Sequence, residues 1–400
     1  MTIPRRRPRY YKGQWRDLAG MARGFGYASS ESVRLFEKEF ASYIGTENAV
    51  ATCSGRNAME LILDAMEIKE GDEVIISAYT LKDLAEMMME KGIAPVLVDV
   101  DPETFNIDPG KIEEKITSLT KAIIATHIFG VPCEIDRIVE IAKRHGLKVI
   151  EDAAHAMGAT YLGKKAGSFG DAAFFSMETI KLLNTFGGGM VVSRDHDLAA
   201  KVRKAVTGYL PNGHAVTKKI CLALVEDVLL RGPVFTALMW LLASKNKAFV
   251  RFYWSFRNRT RVGRSRYSSL QGVMGLEQMK ILDIKNEQRA RIAALMEKGF
   301  RGSVVPQKVP DKARRVQYFN VVRIDSPDAI EDVRRRMLFR GVDCGIREEI
   351  TDDCSLFLGK KGECPVASEI FERNLQLPMF DGLKERDIRR ILRTLEEVIP

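Results

Sequence analysis

Three short stretches of the chain hold the residues whose types and spacing could do chemistry. The first is "ATCSGRNAMELIL" at 51–63, where Ser54-Gly55 leads into a helical pattern that begins near Asn57. A helix entered through small residues exposes several unpaired N–H groups, and these suit a phosphate dianion. Taken alone, the plainer reading of Ser54 is an ordinary helix cap. The second is "VIEDAAHAMGATYLGKKAGSFGD" at 149–171, in which Glu151 and Asp152 follow the strand-like Val149 and Ile150. A buried carboxylate costs free energy unless it meets a cation, and a protonated heterocyclic nitrogen would be one. Asp152 also reads as a simple cap, and His155, one turn later, as a packed core residue. The third is "FFSMETIKLLNTFGGGMVV" at 174–192, with Ser176 ending an apolar run, Lys181 five residues on, and Gly187, Gly188 and Gly189 beyond it. Glycines let backbone pass close to a neighbour. A lysine in apolar surroundings loses its proton more easily and can attack a carbonyl carbon. In isolation it reads as a snorkelling surface lysine.

The combination is more specific than its parts. A phosphate-binding helix entry, a strand-end aspartate and a lysine before a glycine turn are what a pyridoxal phosphate site needs. The phosphate is anchored, the ring nitrogen is kept protonated, and the aldehyde is held covalently.

The elements that must position these residues are legible as a pattern. Short apolar runs recur at "DEVIIS", "APVLVDV", "KAIIATHIF", "KVIED", "AAFFSM" and "GMVVS", with helical stretches such as 81–91 and 136–145 between the earlier ones. This alternation predicts a mainly parallel sheet covered by helices, with the active residues beyond the carboxyl ends of its strands. Serines before "VRLFEKEFASYIG" predict a capped helix that stops at Gly45. One long helix is expected over about 270–300, then a strand in "VQYFNVVRI". A helix capped by Ser326 with Pro327 at its first position should follow, and an amphipathic helix in "ERDIRRILRTLEEVI" closes the chain.

A length of 400 residues suits two domains, and 46% hydrophobic with 29% charged residues describes a folded chain. The basic start "MTIPRRRPRYYKGQW" lacks the apolar core of a signal peptide. Six scattered cysteines without a CxxC pair point to free thiols in the cytoplasm and to no metal site. The net charge of +9 is carried by one segment. Between Asp227 and Glu277 stand nine lysines and arginines and no acidic residue, so the remainder sums to zero. Within 215–262, "ICLALVEDVLL" and "VFTALMWLLA" are each too short to span a bilayer, and "AFVRFYWSFRNRTR" interleaves aromatics with arginine. The plainer reading is a subunit-packing hairpin. The sharper one is peripheral membrane contact through 220–262, with cations on anionic headgroups. No nucleic-acid recognition motif accompanies the charge.

From about Tyr27 to the C-terminus the chain resembles the DegT/StrS-type sugar aminotransferases. The resemblance rests on "SGRNAMELIL", "GDEVIISAYT", "APVLVDVDPETFNID", "KAIIATHIFG", "VIEDAAHAMGA", "GSFGDAAFFSMETIK", "GGGMVVS", "LQGVMGLEQMKIL" and "LQLPMFDGL". It implies an α/β fold: a three-layer, mainly parallel, seven-stranded cofactor-binding domain over 1–285, carrying the insert 215–262, and a smaller α+β domain over 286–400. It implies that Lys181 bonds to the cofactor aldehyde and later carries protons, and that Asp152 pairs with the ring nitrogen. Ser54, Gly55, Arg56 and Ser176 would hold the phosphate, and His155 would lie near the ring hydroxyl. A homodimer with shared active sites is implied, with Arg266 reaching the neighbouring site. The sequence departs from the family pattern at several places. Arg56 replaces a threonine, and Leu81 replaces an aromatic that stacks on the ring, unless Tyr79 substitutes. Arg264 replaces an asparagine that reaches the phosphate across the interface, and could make a stronger charge-assisted contact. Because some members exchange the lysine for histidine and become dehydratases, Lys181 favours amino transfer. The expected donor is glutamate, ahead of glutamine, and the expected acceptor a keto sugar, nucleotide-linked as is usual in the family or else lipid-linked at the membrane surface, used for polysaccharide or secondary-metabolite assembly. A different pyridoxal-phosphate reaction or a non-catalytic descendant are the alternatives.

Overall fold

The structure is a computed structural model that describes residues 2–7, 30–210, 213–230, 235–237, 264–326, 330–345 and 351–399. Seven apolar runs form one sheet. In chain order they are β1 (Asn48–Thr52), β2 (Glu73–Ser77), β3 (Ala94–Val98), β4 (Thr120–Thr126), β5 (Lys148–Asp152), β6 (Ala172–Ser176) and β7 (Gly189–Ser193). Their order across the sheet is β1-β7-β6-β5-β4-β2-β3. Neighbours from β6 through β3 pair in parallel, and β7 alone runs antiparallel to both β1 and β6. The middle strands are buried along nearly their whole length, as expected for a sheet covered on both faces.

This topology gathers the chemistry at one end of the sheet. Thr126, Asp152 and Ser176 are the last residues of β4, β5 and β6. Registers Thr126↔Asp152, Asp152↔Phe174 and Gly189↔Ser176 keep those ends level. Because β7 is reversed, its first residue, Gly189, lies at the same end and pairs with Thr52, the last residue of β1.

Helix α1 (Glu31–Ile44) ends, as expected, at Gly45 with φ 84°, but Ser30 makes no side-chain cap bond. Helices α2 (Gly55–Ala65), α3 (Lys82–Glu90), α4 (Ile135–His145) and α5 (His196–Thr207) cover the sheet, and α6 (Gly213–Leu229) opens the insert. The rest of the insert, including "AFVRFYWSFRNRTR", lies outside the described residues apart from 230 and 235–237. The single long helix expected over 270–300 is two helices, α7 (Ser269–Met279) and α8 (Leu282–Glu297). Ile281 breaks the run with φ −116° and ψ 1°. The halves serve different neighbours. Gly275 of α7 packs against the Phe36 ring, where a Cβ would lie 2.5 Å away, whereas Arg289 of α8 bonds Asp381 at 2.9 Å. The expected boundary at 285/286 falls within α8.

A second antiparallel sheet, β8 (Val304–Pro306), β9 (Asn320–Ile324) and β10 (Asn374–Leu377), stands in that order. With α9 (Ile330–Phe339), α10 (Pro365–Arg373) and α11 (Glu385–Val398) it completes the chain. Val322, Ile324, Leu375, Leu377, Met337 and Ile391 form its separate apolar core. Pro327, the expected first residue of α9, lies outside the described residues. One element was not expected at all. Residues 2–7 run alongside the segment after α9, with Ile3 N–H donating to the Gly341 carbonyl at 2.9 Å, and Ile3 enters this core.

Candidate active site

The first functional turn is built by backbone. Ser54, extended at φ −167°, caps α2 through its hydroxyl, which accepts the Asn57 N–H at 3.1 Å. Gly55 is the first helical residue, and a Cβ on it would meet the Ser176 Cβ at 3.0 Å. From the other side, a Cβ on Gly189 would lie 2.4 Å from the Ser54 carbonyl oxygen and 2.7 Å from the Gly55 nitrogen. Only glycine permits β7 to start this close to the helix entry. Gly188 bridges to Ser54 and, at φ 108°, leaves no room for a side chain beside the Tyr267 ring. The N–H groups that begin α2 therefore sit in a cradle with Ser176 at its edge.

Asp152 is buried at the end of β5. Its Oδ1 accepts the Ala154 N–H at 3.0 Å, and its Oδ2 lies 3.5 Å from the Thr126 hydroxyl. Burial pushes its carboxyl up from the ordinary range, against the Ala154 bond and the Lys181 charge, which favour ionisation. A buried carboxylate with one long contact on an oxygen is suited to receive a cationic N–H. His155 is also buried. Its ring stacks on Tyr318 with centroids 4.3 Å apart and lies 6.2 Å from Phe129. Burial, and then the Lys181 charge, hold its imidazole well below the ordinary value, so it is neutral. Its Nδ1 accepts the Phe129 N–H at 3.4 Å, which leaves the ring proton on Nε2.

Lys181 is 8% exposed, and its Nζ lies 4.6 Å from the centroid of the Tyr318 ring. Its turn is held at both ends. The Lys181 N–H donates to the Glu178 carbonyl at 2.8 Å, and Gly187 and Thr185 N–H groups both donate to the Met177 carbonyl. The Gln271 amide, capping α7, donates to the Gly187 carbonyl at 2.9 Å, and the Tyr267 hydroxyl donates to Thr185 Oγ1 at 2.8 Å.

The structure thus brings Ser54, Gly55, Ser176, Asp152, His155 and Lys181 to one end of the sheet. It places the other expected residues differently. The Arg56 guanidinium turns to Asp83 at 2.9 Å, leaving only its backbone in the first turn of α2. Leu81 precedes α3 and makes no side-chain cap. Tyr79 does not substitute for the missing aromatic. It is fully buried, with its hydroxyl accepting from Asn374 at 2.9 Å and its ring edge-on to Phe105 and Phe129. Arg264 pairs with Glu60 of its own chain, and Arg266 donates to the Thr207 carbonyl.

Sequence reasoning missed two groups. Tyr318, just before β9, forms the aromatic wall over both Lys181 and His155; the signal was the adjacent aromatic pair Tyr318-Phe319 opening a strand. Glu151 was passed over beside Asp152. It points to the opposite face of β5, fully buried, where it accepts from His127 Nε2 at 2.9 Å and from the N–H groups of Gly167, Phe169 and Gly170 at 2.7–2.8 Å. Burial would raise its carboxyl, but His127 and the backbone donors hold it below the usual range. His127 Nδ1 in turn accepts the Cys133 N–H at 3.0 Å.

A model of the DegT/DnrJ/EryC1/StrS aminotransferase family matches residues 16–396. The chain belongs to this family. It is a pyridoxal-phosphate-dependent aminotransferase. The chain is 51% identical to the GDP-perosamine synthase of Caulobacter vibrioides over 168 residues, 42% of this chain and 45% of that protein. It is 31% identical to the UDP-N-acetyl-3-dehydro-alpha-D-glucosamine 3-aminotransferase of Acidithiobacillus ferrooxidans over 370 residues, 92% of this chain and 88% of that one. The fold matches the PLP form of the putative sugar aminotransferase Spr1654 from Streptococcus pneumoniae with TM-score 0.79, at 20% identity over 100% of this chain and 98% of that one. The residues present fit the cofactor: the glycine cradle suits a phosphate, and Asp152 and Lys181 suit the ring nitrogen and the aldehyde. No helix among the described residues is long and apolar enough to cross a membrane, and no cluster of metal ligands stands among them.

Proposed function

We propose that this aminotransferase moves the amino group of glutamate to the carbonyl carbon of a nucleotide-linked keto sugar, for polysaccharide or secondary-metabolite assembly. The observation that carries the reading is Lys181, buried over Tyr318 at the end of the sheet that Asp152 also occupies. The names of the relatives support the acceptor class, since they act on GDP- and UDP-linked sugars. Bound here, pyridoxal phosphate supplies an aldehyde for the amino group and a ring that delocalises the electrons left when a substrate carbon loses its proton.

The chain's own residues do the remainder. The N–H groups of Gly55 and Arg56 and the hydroxyls of Ser54 and Ser176 bind the phosphate. Asp152 holds the proton on the ring nitrogen. With the cofactor bound, the Lys181 amine would take the proton from the substrate carbon and deliver it across the nitrogen to the cofactor carbon that carries the aldehyde, or the reverse. His155 orients the ring hydroxyl, and Tyr318 excludes water. In a homodimer, Arg264 and Arg266 would exchange their own-chain partners for the neighbouring site. The acceptor is tested by loading the enzyme with glutamate, removing the donor, and adding nucleotide-linked keto sugars singly. Return of visible absorbance together with an aminated sugar supports the reading, and discharge only by free keto acids refutes the acceptor class.

The insert supports a second element of the reading, peripheral contact with a membrane. Helix α6 turns Leu222, Val225 and Val228 outward, 57%, 56% and 70% exposed, and the basic segment follows it in sequence. Flotation with anionic vesicles, but not with neutral ones, is the expected result. Indifference to both supports subunit packing instead.

A further inference from the structure

Helix α6 reaches the turn that carries Lys181. It lays Val216, Ile220 and Ala223 against Phe186, Leu270 and Met274. From the same side, Lys219 Nζ lies 2.6 Å from Glu178 Oε1. Glu178 is the residue whose carbonyl accepts the Lys181 N–H. At the far limb of the turn, a Cβ on Gly187 would lie 3.0 Å from the same Nζ, and Gly187 stands at φ +117°. Phe186, a non-glycine residue at φ 55°, is fully buried in the α6 cluster. One ammonium from the insert thus pairs with one limb of the loop 177–188 and fills the space beside the other, and the helix bearing it covers the strained residue between them.

We propose that the Lys219–Glu178 ion pair is a positioning device for Lys181, tying the turn between β6 and β7 to the insert and fixing the direction in which the amine enters the site. This rests on the reading of Lys181 as the cofactor lysine. Neither Lys219 nor Glu178 touches the reacting atoms. Their side chains are 43% and 40% exposed, so the pair is weak, and its loss reads as a change of about three- to fivefold.

The test uses the full-length protein, stripped of cofactor, with pyridoxal phosphate affinity and the rate at which an amine-reactive ester modifies Lys181, located by mass spectrometry, as readouts. In the reloaded enzyme kcat and KM for glutamate are compared. K219M and E178Q are each expected to weaken cofactor binding about three- to fivefold, to change the Lys181 modification rate, and to lower kcat with KM unchanged. The double variant should be no worse than either single one, K219R should stay close to wild type, and the exchanged pair K219E/E178K should recover most of the loss. Unchanged affinity in both single variants, additive losses in the double variant, or K219R as impaired as K219M would overturn the proposal. If K219M does not fold, E178Q and the exchanged pair decide, since both leave the apolar contacts of α6 in place. Failure of the wild-type protein to bond the cofactor at Lys181 would sink the site reading itself; normal bonding with indifferent variants would sink only this inference.

Discussion

Gly189→Ala tests the cradle at the sheet end most sharply. A Cβ at this position would lie 2.4 Å from the Ser54 carbonyl oxygen, 2.5 Å from its carbon and 2.7 Å from the Gly55 nitrogen, where ordinary contact begins at 3.4 Å. All three atoms are backbone, so no rotamer can yield. The strand is fixed on one side by pairing of Gly189 with Thr52 and on the other by pairing with Ser176. Relief requires a separation of about 1 Å between β7 and the start of α2, and overpacking of this kind costs about 3 kcal/mol, the upper end of the usual range. The same displacement moves the N–H groups that would hold the phosphate, so cofactor affinity should fall at least about tenfold, equivalent to about 1.4 kcal/mol. Urea unfolding of the cofactor-free protein reads the first effect, and equilibrium titration with pyridoxal phosphate reads the second. Gly71→Ala is the control. It stands at φ +87° with nothing within 4 Å of a Cβ, so it should lose about 1–2 kcal/mol to backbone strain alone and bind cofactor normally. Wild-type affinity and urea midpoint in G189A, or equal loss of affinity in G71A, would refute the reasoning.

Three further outcomes follow from the buried carboxylates. Glu151→Gln puts an amide nitrogen among buried N–H donors and should cost about 1–3 kcal/mol at neutral pH by urea unfolding. Because the folded-state pKa of Glu151 is lowered, its stabilisation is complete above the unfolded carboxylate value of about 4.3 and fades as pH falls through the lower folded value. The gap between wild type and E151Q should therefore close in acid, and a constant gap would contradict the assignment. Asp152→Asn should have the opposite sign in the cofactor-free protein. The raised folded-state pKa makes its ionised form a growing penalty as pH climbs from about 3.9 through the raised value, so D152N should show a higher urea midpoint at neutral pH and slow amino transfer about a hundredfold or more.

Much of this site could be read from sequence because its parts are local. A capped helix entry, a strand-end aspartate and a lysine followed by glycines each announce themselves within a dozen residues. The parallel sheet then brings strand ends together without further information. What stayed hidden depends on tertiary contact. Tyr318 meets His155 and Lys181 only because the segment before β9 docks on the turn that follows β4, where Val316 N–H donates to the Gly130 carbonyl at 3.1 Å. The break at Ile281 is invisible to periodicity because both flanking segments favour helix, and what separates them is a choice of partners. Residues 2–7 look like a charged tail, and only the small core that receives Ile3 makes them structure. Glu151 was legible in principle. Strand alternation places it on the face opposite Asp152, and a fully buried glutamate there requires the donors that 127 and 167–170 provide.

The central claim is that Lys181 is the residue through which this chain handles the amino group. The direct measurement is a single-turnover reaction of cofactor-loaded protein with glutamate, following visible absorbance and 2-oxoglutarate together, beside K181A. The account predicts bleaching with stoichiometric 2-oxoglutarate in the wild type and neither in K181A; absence of 2-oxoglutarate from a loaded wild-type protein, or equal yield from K181A, would contradict it.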